Sequence, residues 1–245
     1  MKEDQLNIDE TTLSVDLIDA TEAVKDSRFA DALKLLRIIL KEHPDHIDSL
    51  YLAAVSTRYL KKFDDSKKYI ENLMFNAPDM GRAYQELGHL NRDMGNEEKA
   101  VVHYRQACEL NPALLASWNS LYKYFVKNKN KPAADHALEQ IKKLQSLPGV
   151  LLYIDQILNE GRLGLAEDKC RYFLKKHPTH SYAMSLLAEI ANRLGYFDDA
   201  EFLLEKAVEF KPDDGDLRMK YASILRKKQK FAKTMEQVNI LCDKY

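Results

Sequence analysis

The spacing most suggestive of chemistry belongs to two histidine pairs, His43 with His46 and His177 with His180, each an H-x-x-H step. Two imidazoles three residues apart on one helix face can share a metal ion. Here Pro44 and Pro178 fall inside the pairs and interrupt that face, and no cysteine or acidic cluster supplies the remaining ligands. The pairs are therefore expected in turns, with no metal. Cys108, Cys170 and Cys242 are far apart and form no C-x-x-C step, so they read as packing thiols in a reducing, cytoplasmic setting. The run Arg226-Lys227-Lys228-Gln229-Lys230 could meet nucleic acid, but it also falls where a turn between helices is expected, and solvated charge is ordinary there. No glycine-rich phosphate loop occurs, and no Ser/His/Asp set has assignable roles. These residues point to a binding surface, without catalysis and without a cofactor.

The elements that carry them are expected to be helices. The 245 residues are 45% hydrophobic and 31% charged, enough to bury a core, while only 8 glycines and 7 prolines argue against many strands and tight turns. The 37 basic and 38 acidic side chains leave a formal charge of −1, which disfavours nucleic acid, where clustered basic excess drives counterion release. No apolar run approaches the roughly 18 residues of a membrane span, and the polar opening MKEDQLNIDETT has no signal-peptide core.

Five prolines, Pro44, Pro78, Pro112, Pro178 and Pro212, are separated by 34, 34, 66 and 34 residues, the 66 being one period of 34 and one of 32. The period divides the chain into segments 13–46, 47–80, 81–114, 115–146, 147–180, 181–214 and 215–245, after a polar lead over 1–12. Within 81–114, Tyr84, Leu87 and Gly88 fill a W-x-x-L-G pattern, Gly95 ends a first helix, Ala100 and Tyr104 fill A-x-x-x-F, and Pro112 closes the segment. Segment 181–214 repeats this through Leu187, Ala188, Gly195, Phe197, Ala200, Leu204, Ala207 and Pro212. The chain thus resembles the tetratricopeptide-repeat (TPR) family. That resemblance implies an all-α, right-handed superhelical TPR solenoid (an α-α superhelix) of about seven helix hairpins, each stabilised only by stacking on its neighbours. Small residues such as Gly88, Ala100 and Ala207 are expected where helices approach closely, and the short fourth segment, ending Leu144-Gln145-Ser146-Leu147-Pro148-Gly149, is expected to perturb the stacking.

In the family, positions 2, 5, 6, 9, 12 and 13 of each first helix face a concave groove. The resemblance therefore implies a peptide-binding groove of Tyr51, Arg58, Tyr59, Arg82, Gln85, His89, Arg92, Asn119, Lys123 and Lys127, with Glu86 among them. This set is basic and partly aromatic, which suits a protein partner or an extended acidic peptide. Asp155, Asn159, Glu189 and Asn192 make the later half more acidic. Two sub-patterns of the family are absent. No three consecutive segments supply the lysine and asparagine set of a two-carboxylate clamp, and the sixth positions (Ile18, Leu52, Glu86, Ser120, Leu152, Leu186, Lys220) form no asparagine ladder.

A longer repeat overlies the first. LKEHPDH at 40–46 returns as LKKHPTH at 174–180, and Phe63-Asp64-Asp65 returns as Phe197-Asp198-Asp199, both shifted by 134 residues. The stretch 187–231, LAEIANRLGYFDDAEFLLEKAVEFKPDDGDLRMKYASILRKKQKF, resembles the TPR region that precedes a sulfotransferase domain in certain bacterial proteins. That would imply a phosphoadenosine phosphosulfate-dependent enzyme domain beyond Tyr245, for which this chain recruits partner or substrate. The last helix carries Met235, Val238, Ile240, Leu241 and Cys242 and lacks a polar cap. The chain is accordingly expected to be a piece of a longer protein and to self-associate through Met235, Val238 and Leu241.

Overall fold

The computed structural model describes residues 15–244, and every regular element among them is an α-helix. The expected lead over 1–12 lies outside the described residues. Two compact units divide the chain between Gln145 and Ser146. The N-terminal unit contains α1 (15–25), α2 (Phe29–Glu42), α3 (Ile47–Tyr59), α4 (Phe63–Asn76), α5 (Gly81–Asp93), α6 (Glu97–Leu110), α7 (Leu115–Lys127) and α8 (Lys131–Gln145). The C-terminal unit contains α9 (Gly149–Asn159), α10 (Leu163–Lys176), α11 (Ser181–Arg193), α12 (Phe197–Phe210), α13 (Gly215–Lys227) and α14 (Phe231–Lys244). Turns between hairpins fall at Pro44, Pro78, Pro112, Pro178 and Pro212, where a missing N–H and a restricted preceding residue stop a helix.

The period is written in the backbone. One residue per hairpin adopts positive φ just after the first helix: Ser27, Lys61, Gly95, Lys129, Gly161, Gly195 and Gln229. That left-handed residue lets the chain reverse while the last carbonyls of the helix stay bonded; the N–H of Gly95, for instance, donates to Arg92 O at 2.9 Å. Consecutive members of this series are 34 apart except between Lys129 and Gly161, where the interval is 32. The short period thus lies in the two hairpins that flank the division of the chain.

Apolar positions spaced by three and four bury one stripe of each helix. In the N-terminal unit Leu36, Leu50, Ile70, Leu73, Leu90 and Leu121 are enclosed, and in the C-terminal unit Leu151, Ile154, Leu158, Ile190 and Leu225. Each such side chain contributes roughly 1.5–3 kcal/mol relative to exposure. Alanines at 0% exposure, among them Ala53, Ala54, Ala83 and Ala207, bring the backbones together. Gly88 does so most severely: a Cβ there would stand 2.6 Å from the Tyr104 ring, which is itself buried.

The H-x-x-H pairs are turn residues with a capping role. Nδ1 of His46 accepts from the Ser49 N–H at 3.3 Å, and Nδ1 of His180 accepts from the Ala183 N–H at the same distance. Each satisfies a donor that the first turn of a helix leaves free. Among the described residues no group of three potential metal ligands gathers. Cys108 and Cys170 are buried as packing thiols, but Cys242 is exposed, which corrects the expectation for that residue.

Candidate protein-interaction surface

The residues expected to line a groove sit on α3, α5 and α7, the first helices of three consecutive hairpins of the N-terminal unit. Arg58 departs most from expectation. It is 6% exposed, and its Nε donates to Glu86 Oε1 at 2.5 Å while Nη1 donates to Asp93 Oδ2 at 2.8 Å. Arg58 is therefore a tie between α3 and α5, and we remove it from the ligand-facing set. Its neighbour Tyr59 is exposed and stacks on Phe29 with ring centroids 4.3 Å apart. Nothing in the alternation of apolar residues announced this pair. The usable signal was opposite charge at Arg58 and Glu86, on inner positions of successive repeats.

Burial shapes the electrostatics around it. It pushes the Glu86 carboxyl above its usual range, and the adjacent Arg58 guanidinium pulls against that without reversing it. At Arg58 burial works against the charge, yet attraction to Glu86 and the hydrogen bonds outweigh it and strengthen the protonated form. Asp93 is also partly desolvated, but hydrogen bonds from Arg58 and Arg92 hold its carboxyl below the ordinary value. His89, its Nδ1 2.7 Å from the Tyr104 hydroxyl, is driven down to about 4 by burial, with Arg58 and Arg92 adding to the effect. It is neutral at physiological pH.

The other expected residues divide into two groups. Toward one end, the Arg82 guanidinium lies 4.7 Å from the Tyr51 ring centroid and 3.8 Å from Asp48. Gln85 joins α5 to α7 by accepting from Ser117 Oγ at 3.0 Å, and Asn119 spends its amide on Leu115 O at 2.9 Å. Toward the other end, Arg92, Lys123 and Lys127 come together around a pocket of about 260 Å³ with Tyr104, Ser120 and Tyr124. Arg92 is braced by Asp93 at 2.8 Å and Lys127 by Glu97 at 2.6 Å. Lys123 is exposed and has no hydrogen bond or ion pair among the described residues. The structure thus gathers three of the ten expected residues at one pocket and leaves one of them with an unspent charge.

The basic run at the α13–α14 turn behaves differently from a free patch. Lys228 bonds to Asp198 and Glu201, and Lys230 reaches Glu201 at 2.6 Å, so both ammonium groups tie the α13–α14 turn to α12. Burial pushes the Cys108 and Cys170 thiols up to about 12, so neither offers a thiolate at neutral pH. Among the described residues no helix is long and apolar enough to cross a membrane. On the last helix Met235 is exposed, while Val238 and Leu241 are half-buried.

Helix hairpins of this period, each with a left-handed turn residue and a proline-marked exit, have a counterpart among known families. Residues 81–114 and 181–214 match the tetratricopeptide repeat. The matched segments are the hairpins α5–α6 and α11–α12, one in each compact unit. PilF of Pseudomonas aeruginosa shares the fold, at a TM-score of 0.50 and 14% identity over 89% of this chain and 98% of that one. A thermophilic TPR protein of Thermus thermophilus is similar at TM-score 0.39 and 22% identity, covering 87% of this chain and 98% of that one. The Naa15/Naa10 assembly bound to HypK-THB is similar at TM-score 0.49 and 18% identity over 95% of this chain. This chain spans 36% of the length of that relative.

Proposed function

We propose that this chain is a non-catalytic protein-interaction scaffold that holds an extended acidic segment of a partner protein against α5 and α7. The TPR matches support the general role. The observation that carries the finer reading is Lys123, an unpaired ammonium at a pocket already fixed by Arg92 and Lys127. The Arg92–Asp93 and Lys127–Glu97 pairs hold two long side chains in place. Part of the entropy of ordering a basic pocket is thereby met before a ligand arrives. Tyr124 supplies rigid surface beside the charges, backed by the buried Tyr104 ring. Near-zero net charge leaves little long-range attraction for polyanions, so recognition rests on local fit.

The test is fluorescence anisotropy of the full chain with a labelled acidic peptide and with its Gln/Asn isostere. The acidic peptide should bind and the isostere should bind at least about tenfold more weakly. Lys123→Glu combined with Lys127→Glu should remove that preference while the melting temperature stays nearly unchanged, since both side chains are exposed. Equal binding of the two peptides, or an intact preference in the double variant, would contradict the reading.

A further inference from the structure

A second pocket, of about 360 Å³, lies in the C-terminal unit between α10, α11 and α12. Its floor is Leu187, Ile190, Ala191 and Leu194, one stripe of α11 continued into the residue that caps it. Glu189 and Asn192 occupy the opposite stripe of that helix, so this pocket is distinct from any groove on the inner positions. Two aromatic side chains, Tyr196 at 61% and Phe202 at 60% exposure, line it. Asp199 is the third feature: an exposed carboxylate with no hydrogen bond or ion pair among the described residues.

The internal repeat of 134 residues supplies a built-in control, because α2, α3 and α4 correspond to α10, α11 and α12. Asp199 corresponds to Asp65, which faces Arg37 at 3.9 Å. Arg37 corresponds to Arg171, but Arg171 turns to Glu167 at 2.8 Å, and Glu167 stands where the other copy has buried Leu33. The acquired glutamate therefore captures the arginine that would neutralise Asp199. In the same comparison Lys62 and Lys68 are replaced by Tyr196 and Phe202. Within a lining that also differs at Leu187, Ile190, Ala191 and Leu203, these three replacements and the redirected arginine leave the C-terminal copy with aromatic walls and a free carboxylate where the first copy carries lysines and a paired one.

We propose that this pocket of the C-terminal unit binds an arginine side chain presented by a partner polypeptide. The methylenes would lie along exposed Leu194 and the accessible edge of Leu187, with buried Ile190 beneath them. The guanidinium would meet the Asp199 carboxylate in the two-pronged geometry it favours, with Tyr196 and Phe202 offering ring faces to its plane. An acidic ligand is disfavoured by the unpaired Asp199 carboxylate, the Glu167 and Arg171 charges on the same wall offsetting each other, and a purely apolar ligand would leave Asp199 partly desolvated without a partner. The arginine site is independent of the acidic-peptide reading of the N-terminal unit.

The experiment is a backbone-amide NMR titration of the full isotope-labelled chain with N-acetyl-arginine amide as the probe. Citrulline and lysine derivatives are the controls, one neutral and isosteric, the other cationic without a planar fork. The arginine derivative should produce saturable shifts at Leu194, Asp199 and Phe202. Asp199→Asn should weaken it by about tenfold. Glu167→Leu, which restores the other copy's residue at that position and frees Arg171 for Asp199, should weaken it to a similar degree with Leu194, Tyr196 and Phe202 unchanged. Tyr196→Lys with Phe202→Lys should abolish the response. No saturable shifts up to about 20 mM, citrulline or lysine binding as tight as arginine, or indifference to Asp199→Asn would each overturn the assignment.

Discussion

Helices α3 to α6 and α11 to α14 are two versions of one plan, 134 residues apart, and they handle charge in opposite ways. The first buries it: Arg58, Glu86 and Asp93 lock α3 to α5. At the corresponding positions the second has Asn192, Lys220 and Lys227, linked by one exposed bond of 2.7 Å from Lys227 to Asn192 Oδ1. The same span, 35 residues, is bridged in both copies. The partners differ in cost. A buried ion pair is held by the need not to leave a charge alone, whereas an exposed lysine–amide bond contributes little. The geometry of the repeat places a bridge there, and the residue types decide whether it stiffens the core or merely decorates the surface.

The largest expected effect breaks that bridge. Arg58→Met should leave Glu86 buried and unpaired and cost about 3–5 kcal/mol, while Asn192→Ala should stay within about 0.5 kcal/mol. Urea unfolding followed through the single tryptophan, Trp118 on α7, reports on the N-terminal unit, and amide exchange reports on α11 and α13. Equal costs in the two copies would show that the ion pair is not structural.

Acid should also separate the two units. His89 titrates at about 4 when folded against an ordinary 6.5, so the unfolded chain takes the proton first. Its contribution is complete above about pH 6.5 and is lost as the pH falls toward about 4, on the order of 3 kcal/mol. Asp93, held low, adds to the loss at still lower pH, and Glu86, displaced upward, opposes it. The equivalent of His89 in the second copy is Ser223, which does not titrate. Stability read at Trp118 between about pH 7 and 4.5 should fall, and His89→Gln should flatten the slope. An unchanged slope in that variant would mean the imidazole is not the group responsible.

A smaller effect probes the close approach at Gly88. The second copy has Ala222 and Val238 where the first has Gly88 and Tyr104, so the first copy sets its smallest residue against a large one and the second has two intermediate residues at those positions. Gly88→Ala should cost about 1–3 kcal/mol through overpacking against the buried Tyr104 ring, despite the better helix propensity of alanine. The same change in a Tyr104→Val background should cost clearly less. Additive costs in that double-mutant cycle would contradict the contact. The smallest expected difference is between the capping histidines: His46→Ala and His180→Ala should each cost about 1 kcal/mol, by thermal melts, because the two caps share one geometry.

The fold was legible because its signals are local. Prolines at a fixed interval stop helices, residues tolerant of positive φ end the first helix of each hairpin, and small residues mark crossings; Lys61, Lys129 and Gln229 take the left-handed turn as Gly95 does. The surface was less legible because a repeat position fixes where a Cα lies but not what the side chain bonds. Arg58 and Lys123 both carry inner-face positions and a positive charge. Acids on the neighbouring helix draw Arg58 into the interior, whereas the acid beside the Lys123 pocket, Glu97, is bonded to Lys127 instead. The open pocket at Asp199 was hidden for the same reason, since it depends on Glu167 diverting Arg171 rather than on any motif.

The most direct test of the account is to map where an acidic peptide binds on the full chain by backbone-amide NMR. The shifts should centre on Arg92, Ser120, Lys123 and Tyr124 and vanish in Lys123→Glu combined with Lys127→Glu. Shifts confined to α9–α14, or a response at α5 and α7 that survives that double change, would contradict it.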